Sequence, residues 1–407
     1  MVDEVLSRAG TLNSDPQAFK LDWVALEGEV SALDENLQQT LSVGLDNLFA
    51  EVPLFISTEN LVQMQAVIAA IERVVNLSGW RDSPDNFGAT KGVFYGYDFH
   101  LNEQGVHLIE INTNAGGGFL NGFLVASQSG INFPGVATSA DNLDVHFLDM
   151  FRNEYRQVHG DAPLKFVAIV DEKPESQYFY TEFLLAQKMF ERAGITAYIS
   201  DPSEFHLGDD GLYLGDKKID LIYNRLTDFS LQHHAELRQA YESGLAVVTP
   251  APIHHARYAD KTNLAHLCDV EVLHDVGASD ADVDVLQACI PHTLRVRRGM
   301  EEELWAKRKQ LFFKPNTGYG SKGAYRGKNV TKRVFKEIMN SDYVAQQIAI
   351  PGERMVCTSD GVEIPLKYDV RCYVYDGVIQ LVAARMYQGQ TTNMRTPGGG
   401  FALVRVE

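Results

Sequence analysis

Residues 311–323 read LFFKPNTGYGSKG, and the fold turns on how this stretch is read. A short apolar run ends in Lys314 and passes into a turn with Gly318, Gly320 and Gly323, plus Ser321 and Lys322. Such a turn can lay backbone N–H groups against phosphate oxygens, with lysine cations beside them. GYGSKG at 318–323 matches G-x-G-x-x-G, but a dinucleotide-binding turn of that pattern opens directly into a helix. Here AYRGKNV follows and reads as a return strand, and the helical TKRVFKEIMN comes only afterwards. No G-x-x-x-x-G-K-[ST] occurs, and neither do the H-R-D and D-F-G signatures of a kinase glycine hairpin. The stretch is therefore expected to be a hairpin tip folding over a ligand, with Lys314 reaching phosphates from the strand before it.

The matching metal half of such a site lies far upstream. KGVFYGYDFHLNEQGVHLIEIN (91–112) reads as strand, NEQG turn, strand. Glu110 and Asn112 are two apart on the second strand and share a face. Counting outward from the turn places Asp98 roughly across from Glu110. An Asp, a Glu and an Asn carbonyl oxygen on one face make a hard-oxygen site for Mg2+. Asn114 and Gly116–Gly118 follow as a loop that a ligand could approach closely.

Downstream, DYVAQQIAI reads as a strand entering a short connector whose backbone amides could bind an adenine edge. PLKYDVRCYVYDGVIQLVAARMYQGQTTN reads as strand, turn, strand, with Asp369 and Arg371 on the face opposite Val370 and Cys372. Arg385 and Asn393 end the second strand and its loop, and MRTPGGGFA adds a second glycine-rich loop at 398–400. Cations here can neutralise a transferring phosphoryl group.

Residues 1–80 read as helical, their apolar stripes as core. Residues 164–290 alternate strand and helix, which implies a parallel sheet whose ligands gather at strand C-terminal ends. Asp171, Glu172, Asn224, Arg225 and Thr227 are the candidate substrate contacts there. ARYADKTNLAHLCDV reads as a helix with Lys261 near its start. The chain of 407 residues is long enough for two or three domains. Its net charge of −18 argues against a broad nucleic-acid or anionic-membrane surface. Cys268, Cys289, Cys357 and Cys372 show neither C-x-x-C nor zinc spacing and read as reduced thiols. MVDEVLSRAG has no apolar h-region and no run reaches membrane-span length, so the expected location is cytoplasmic.

These residues together resemble the ATP-grasp superfamily over roughly 90–122 and 164–402. The usual order in that family ends with the strand pair bearing D…E-x-N; here that pair comes first and the D-V-R strand comes last. The resemblance therefore implies a circularly permuted ATP-grasp of mixed α+β and α/β class, similar to eukaryotic-type glutathione synthetase and glutathionylspermidine synthase. E-I-N-T at 110–113 is especially like the former. The implied domains are 1–160, N-terminal helices plus the metal-binding hairpin; 161–295, a parallel-sheet substrate domain; 296–350, the glycine-rich lid; and 351–407, core strands completing the sheet with 91–122.

The resemblance further implies ATP and Mg2+ as cofactors, with Asp98, Glu110 and Asn112 holding the metal. Lys261 and Lys314 would touch phosphates, and Gly318, Tyr319, Gly320, Ser321, Lys322 and Gly323 would form the phosphate lid. Gln346, Gln347 and Ile348 would lie in the adenine hinge, with Glu353 replacing the acidic hinge residue that Gln347 displaces. Arg371, Arg385 and Lys314 would be catalytic. The implied activity is an ATP-dependent carboxylate–amine ligase forming an amide through an acyl phosphate, acting on small-molecule substrates and on neither nucleic acid nor membrane. A phosphotransferase on the same fold and a non-catalytic nucleotide binder are the alternatives. The oligomeric state, a homodimer among the options, stays open.

Overall fold

The upstream hairpin forms as its turn chemistry predicts, with strands Tyr95–Asn102 and Gly105–Asn112 paired antiparallel. The computed structural model describes residues 7–42, 45–80, 90–138, 142–318, 322–358, 361–393 and 396–407. Strand Glu363–Tyr375 lies antiparallel against the hairpin, Arg371 opposite Asp98. The sheet continues through Val378–Tyr387 and Gly400–Val406 to Leu54–Ile56. Residues 91–112 and 366–386 thus stand side by side, as the reading of the glycine turn requires.

Alternation along Glu363–Tyr375 divides the labour of this sheet. Val370, Cys372 and Val374 face one buried cluster with Tyr97, Phe99 and the helix Thr58–Val75. That helix opens on a reciprocal cap, with Ser57 Oγ accepting the Asn60 N–H and Asn60 Oδ1 accepting the Ser57 N–H. Such a cap is worth about 1 kcal/mol. On the opposite face Tyr373 and Tyr375 join a second cluster with Phe94, Phe147 and Phe151. Asp369 and Arg371 continue that same face toward the other end of the strand, where polar groups replace the aromatic packing.

Strands Phe166–Val170, Thr196–Ser200, Leu221–Asn224 and Val247–Thr249 form the expected all-parallel sheet. Helices Tyr180–Arg192 and Ala235–Glu242 lie between successive strands in sequence. A third sheet is antiparallel and orders Thr293–Arg295, Tyr343–Gln347, Leu311–Pro315 and Tyr325–Arg326. Phe313, Leu304, Phe335 and Ile338 pack it against its own helices. The return strand after the glycine turn is present but short, Phe313 facing Tyr325.

Three expectations change. The helical stretch before residue 50 is broken into Trp23–Ser31, Glu35–Ser42 and Leu45–Leu48, because Asp34 caps the Leu37 N–H and starts a new helix. LFI at 54–56 and GFALVRV at 400–406 are strands. ARYADKTNLAHLCDV is not one helix: a π-helical turn His255–Ala259 precedes Thr262–Leu267 and Val270–Asp275. Cys268, Cys289, Cys357 and Cys372 are all free. Among the described residues no helix is long and apolar enough to cross a membrane.

Candidate functional site

A regular ladder from the 102–105 turn would put Asp98 opposite Ile109. The register slips between Asp98 and Phe99, so Asp98 faces Glu110 instead. This bulge leaves Ile109 as the extra residue and lets Leu108 and Ile111, three apart, both stay in the core. Glu110 is thereby turned away from the core. The Ile109 carbonyl accepts a hydrogen bond from Lys314 Nζ at 2.8 Å.

Two lysines converge on Glu110 from different parts of the chain. Lys261 follows the π-helical turn, a local over-widening of the helix that often occurs at functional positions. Its Nζ lies 2.9 Å from Glu110 Oε1 and donates to the Gly318 carbonyl at 2.9 Å. Lys314, on the strand before the glycine turn, also donates to Gln346 Oε1 at 2.9 Å. Burial pushes the Lys314 ammonium down to about 8; Glu110 opposes the shift and Lys261 adds to it. Burial alone would raise the Glu110 carboxyl, but Lys261 and Lys314 together hold it below its usual range.

Behind Glu110 lies a buried chain of charges. Arg371 grips Asp98 with a two-pronged fork, Nε to Oδ1 at 2.6 Å and a terminal nitrogen to Oδ2 at 2.7 Å. Arg385 joins Asp98 Oδ2 at 2.9 Å to Asp369 Oδ1 at 2.6 Å, and Thr392 Oγ1 donates to Asp369 Oδ2 at 2.6 Å. Burial would raise the Asp98 carboxyl, but Arg371 and Arg385 outweigh it and hold it low. The Asn112 amide donates to Asp98 Oδ2 at 3.2 Å.

Asp98, Glu110, Lys261, Lys314, Gly318, Lys322, Gln346, Gln347, Ile348 and Arg385 line one pocket between the antiparallel sheet and the large sheet. It holds about 800 Å3 of empty space, open solvent at its mouth included. Arg371 and Asn112 stand just behind the wall through their bonds to Asp98. Gly318 is tight against Pro315: a Cβ there would come within 2.3 Å of Pro315 Cγ. Gly323 has φ +71 and lies at the far side of the turn. Tyr319, Gly320 and Ser321 fall outside the described residues. Glu353 does not reach the pocket; it is exposed and paired in a ladder opposite Lys367.

Two expected roles meet the geometry differently. The adenine-binding amides of the hinge are in use: the Gln347 N–H donates to the His292 carbonyl at 2.8 Å and the Ile348 N–H to the Gln310 carbonyl at 2.9 Å. Asp98 does not fit a metal in this arrangement. Its Oδ2 accepts from Arg371, Arg385 and Asn112 and its Oδ1 from Arg371, so the two arginines already supply the cationic partners that a metal would be, and one lone-pair position is left on Oδ1. Among the described residues no group of three or more His, Cys, Asp or Glu could hold a metal. Glu110, with Asn112 beside it, still suits a hard cation that takes most of its ligands from phosphates and water.

Sequence reading passed over Asp369 as a site residue, and also His100, Phe312 and Thr392, which line the pocket. Asp369 and His100 were accessible by alternation, since each stands two residues from a named neighbour on the same face, Arg371 and Asp98. Thr392 lies in a loop and carries no periodic signal.

No protein-family model matches the sequence, and no curated protein does either. Solved structures do. A glutathione synthetase-like effector from Globodera pallida superposes with TM-score 0.58 at 9% identity, covering 98% of this chain and 99% of that one. The chain has the ATP-grasp fold. A Methylobacillus flagellatus protein provisionally assigned as a gamma-glutamylcysteine synthetase gives TM-score 0.49 at 11% identity over 85% of this chain and 87% of that one. The ATP-grasp ligase PsnB, solved with a minimal precursor, Mg and ADP, gives 0.30 at 12% identity over 59% and 88%. At these identities the likeness is one of fold. In this ATP-grasp chain, Gly318 and Lys322 of the glycine turn and Glu110 of the bulge line one pocket walled by two different sheets.

Proposed function

We propose that the chain is an ATP-dependent carboxylate–amine ligase that forms an amide or peptide bond through an acyl phosphate. The observation that carries this reading is the convergence of Lys261 and Lys314 on Glu110 inside the pocket under the glycine turn. Two cations and one carboxylate there suit a polyphosphate and its metal, with the triphosphate alongside the lysines and the base toward Phe312 and Ile348. Glu110 and Asn112 would hold Mg2+, which supplies charge neutralisation at the phosphates. Gly318 and Lys322, at the two ends of the glycine turn, would contact them.

A substrate carboxylate oxygen would attack the γ-phosphorus as ADP leaves. An amine would then attack the acyl carbon, lose a proton and release phosphate. Arg371 and Arg385 would stabilise the oxygens that gain charge, and their fixed pairing with Asp98 and Asp369 pre-orients them for that task. The protein then contributes positioning and charge rather than a nucleophile. The parallel sheet would choose a substrate at its strand ends. Arg225 supports this: it is buried at the end of strand Leu221–Asn224, donates to the Asn114 carbonyl at 3.0 Å, and its Nε has no partner among the described residues. We also propose the permuted domain order, with 1–160 and 351–407 sharing the core, 161–295 as substrate domain and 296–350 as lid.

The test is ADP and phosphate release across a panel of carboxylates and amines. Release that needs both, with an amide product, supports the ligase. A stable phosphorylated product would point to phosphotransfer, and tight Mg-ATP binding with no ADP from any pair would count against catalysis.

A further inference from the structure

His100 lies two residues from Asp98 on the same strand face and lines the pocket beside Phe312, Ile348 and Ala349. Its Nδ1 is 2.8 Å from the Ala349 carbonyl oxygen. A carbonyl only accepts, so Nδ1 carries the ring proton. In the neutral imidazole Nε2 is then an acceptor. Three nearby polar groups are already committed. The Gln347 and Ile348 amides serve neighbouring carbonyls. The Gln346 side chain is used at both ends, accepting from Lys314 and donating to Thr293 Oγ1 at 3.0 Å. His100 therefore presents an acceptor whose tautomer is set by the connector itself.

We infer that His100 is the base-specificity residue of the nucleotide site, its Nε2 accepting a hydrogen bond from the 6-amino group of a purine. This rests on the nucleotide-site reading above. A 6-oxo purine would set lone pair against lone pair at the same place and be rejected. Because the donor side of His100 is tied to Ala349, the ring cannot exchange roles to accommodate it without breaking that bond.

Equilibrium binding of ATP, ITP and 2′-deoxy-ATP to the full chain tests this without any need for turnover. The wild type should bind ATP about tenfold or more tighter than ITP, and 2′-deoxy-ATP like ATP. His100→Leu should lose the ATP advantage while ITP affinity holds or rises as the lone-pair clash is removed. His100→Gln keeps one donor for Ala349 and one acceptor for the base, so it should retain most of the preference even if the leucine variant does not fold. Equal ATP and ITP affinity in the wild type overturns the inference while leaving the nucleotide site standing. So does an equal loss for both nucleotides in His100→Leu, or a change confined to the 2′-deoxy comparison, which would give His100 to the ribose. Binding of none of the three by the wild type overturns the nucleotide site and the inference with it.

Discussion

Lys261 Nζ and Glu110 Oε1 stand 2.9 Å apart, tying the segment after the parallel sheet to the bulge of the N-terminal hairpin. Lys261 also holds the Gly318 carbonyl, so one ammonium bridges the bulge and the glycine turn. Glu110→Gln keeps the shape and removes the charge. Turnover is expected to fall by about 100-fold or more, while the thermal melt shifts by no more than about 2 kcal/mol of stability. An unchanged rate would take Glu110 out of the site.

Asp98→Asn should behave in the opposite way. Arg371 and Arg385 would lose a shared buried counter-charge, and breaking such a pair costs about 3–5 kcal/mol. Urea unfolding of the ligand-free protein reads this directly. A loss below about 1 kcal/mol would mean that Asp98 is not needed by the arginines, and would return it to the metal set.

Lys314 gives the pH dependence its sign. Its folded value is lowered from 10.5 to about 8 by burial. Between those values the unfolded chain binds more protons, so the unliganded protein gains stability as pH rises through that window. Phosphate contact needs the charged form, so a bound polyphosphate draws the proton back. At about pH 8.5, ATP binding should take up protons, visible as a calorimetric heat that changes with buffer ionisation enthalpy. Lys314→Arg should abolish the uptake. Buffer-independent heats in the wild type would contradict it.

Gly96 lets Arg371 pass. A Cβ there would stand 2.7 Å from Ala115 Cβ and 3.0 Å from Arg371 Nε. Gly96→Ala should cost about 1–3 kcal/mol and lower activity by disturbing the Arg371 fork. Gly28→Ala is the matched control. Gly28 sits inside helix Trp23–Ser31 with nothing within 4 Å of its built Cβ. That change should stabilise by about 0.5–1 kcal/mol. Equal effects at the two positions would remove the steric argument.

The legible part of the fold was the part with local signals. Alternation marked Asp369 and Arg371 on one face, turn residues marked the 102–105 hairpin, and the missing helix after Gly323 removed the dinucleotide-binding reading. The illegible part depended on contacts between distant segments. Nothing local announces that Asp98 is held by two arginines from the other end of the chain, or that the Ile348 amide serves Gln310. The bulge at Ile109 is an intermediate case. The wish to bury both Leu108 and Ile111 demands a slip, but only the formed ladder shows where it falls. The π-helical turn before Lys261 likewise breaks a periodic pattern that reads as ordinary helix.

The most direct test of the central claim is calorimetric titration of Mg-ATP into the wild type and into Lys261→Met with Lys314→Met. Saturable one-site binding in the wild type, weakened about 100-fold or more in the double variant with the melt preserved, is the predicted result. Wild-type binding that survives loss of both lysines unchanged would contradict it.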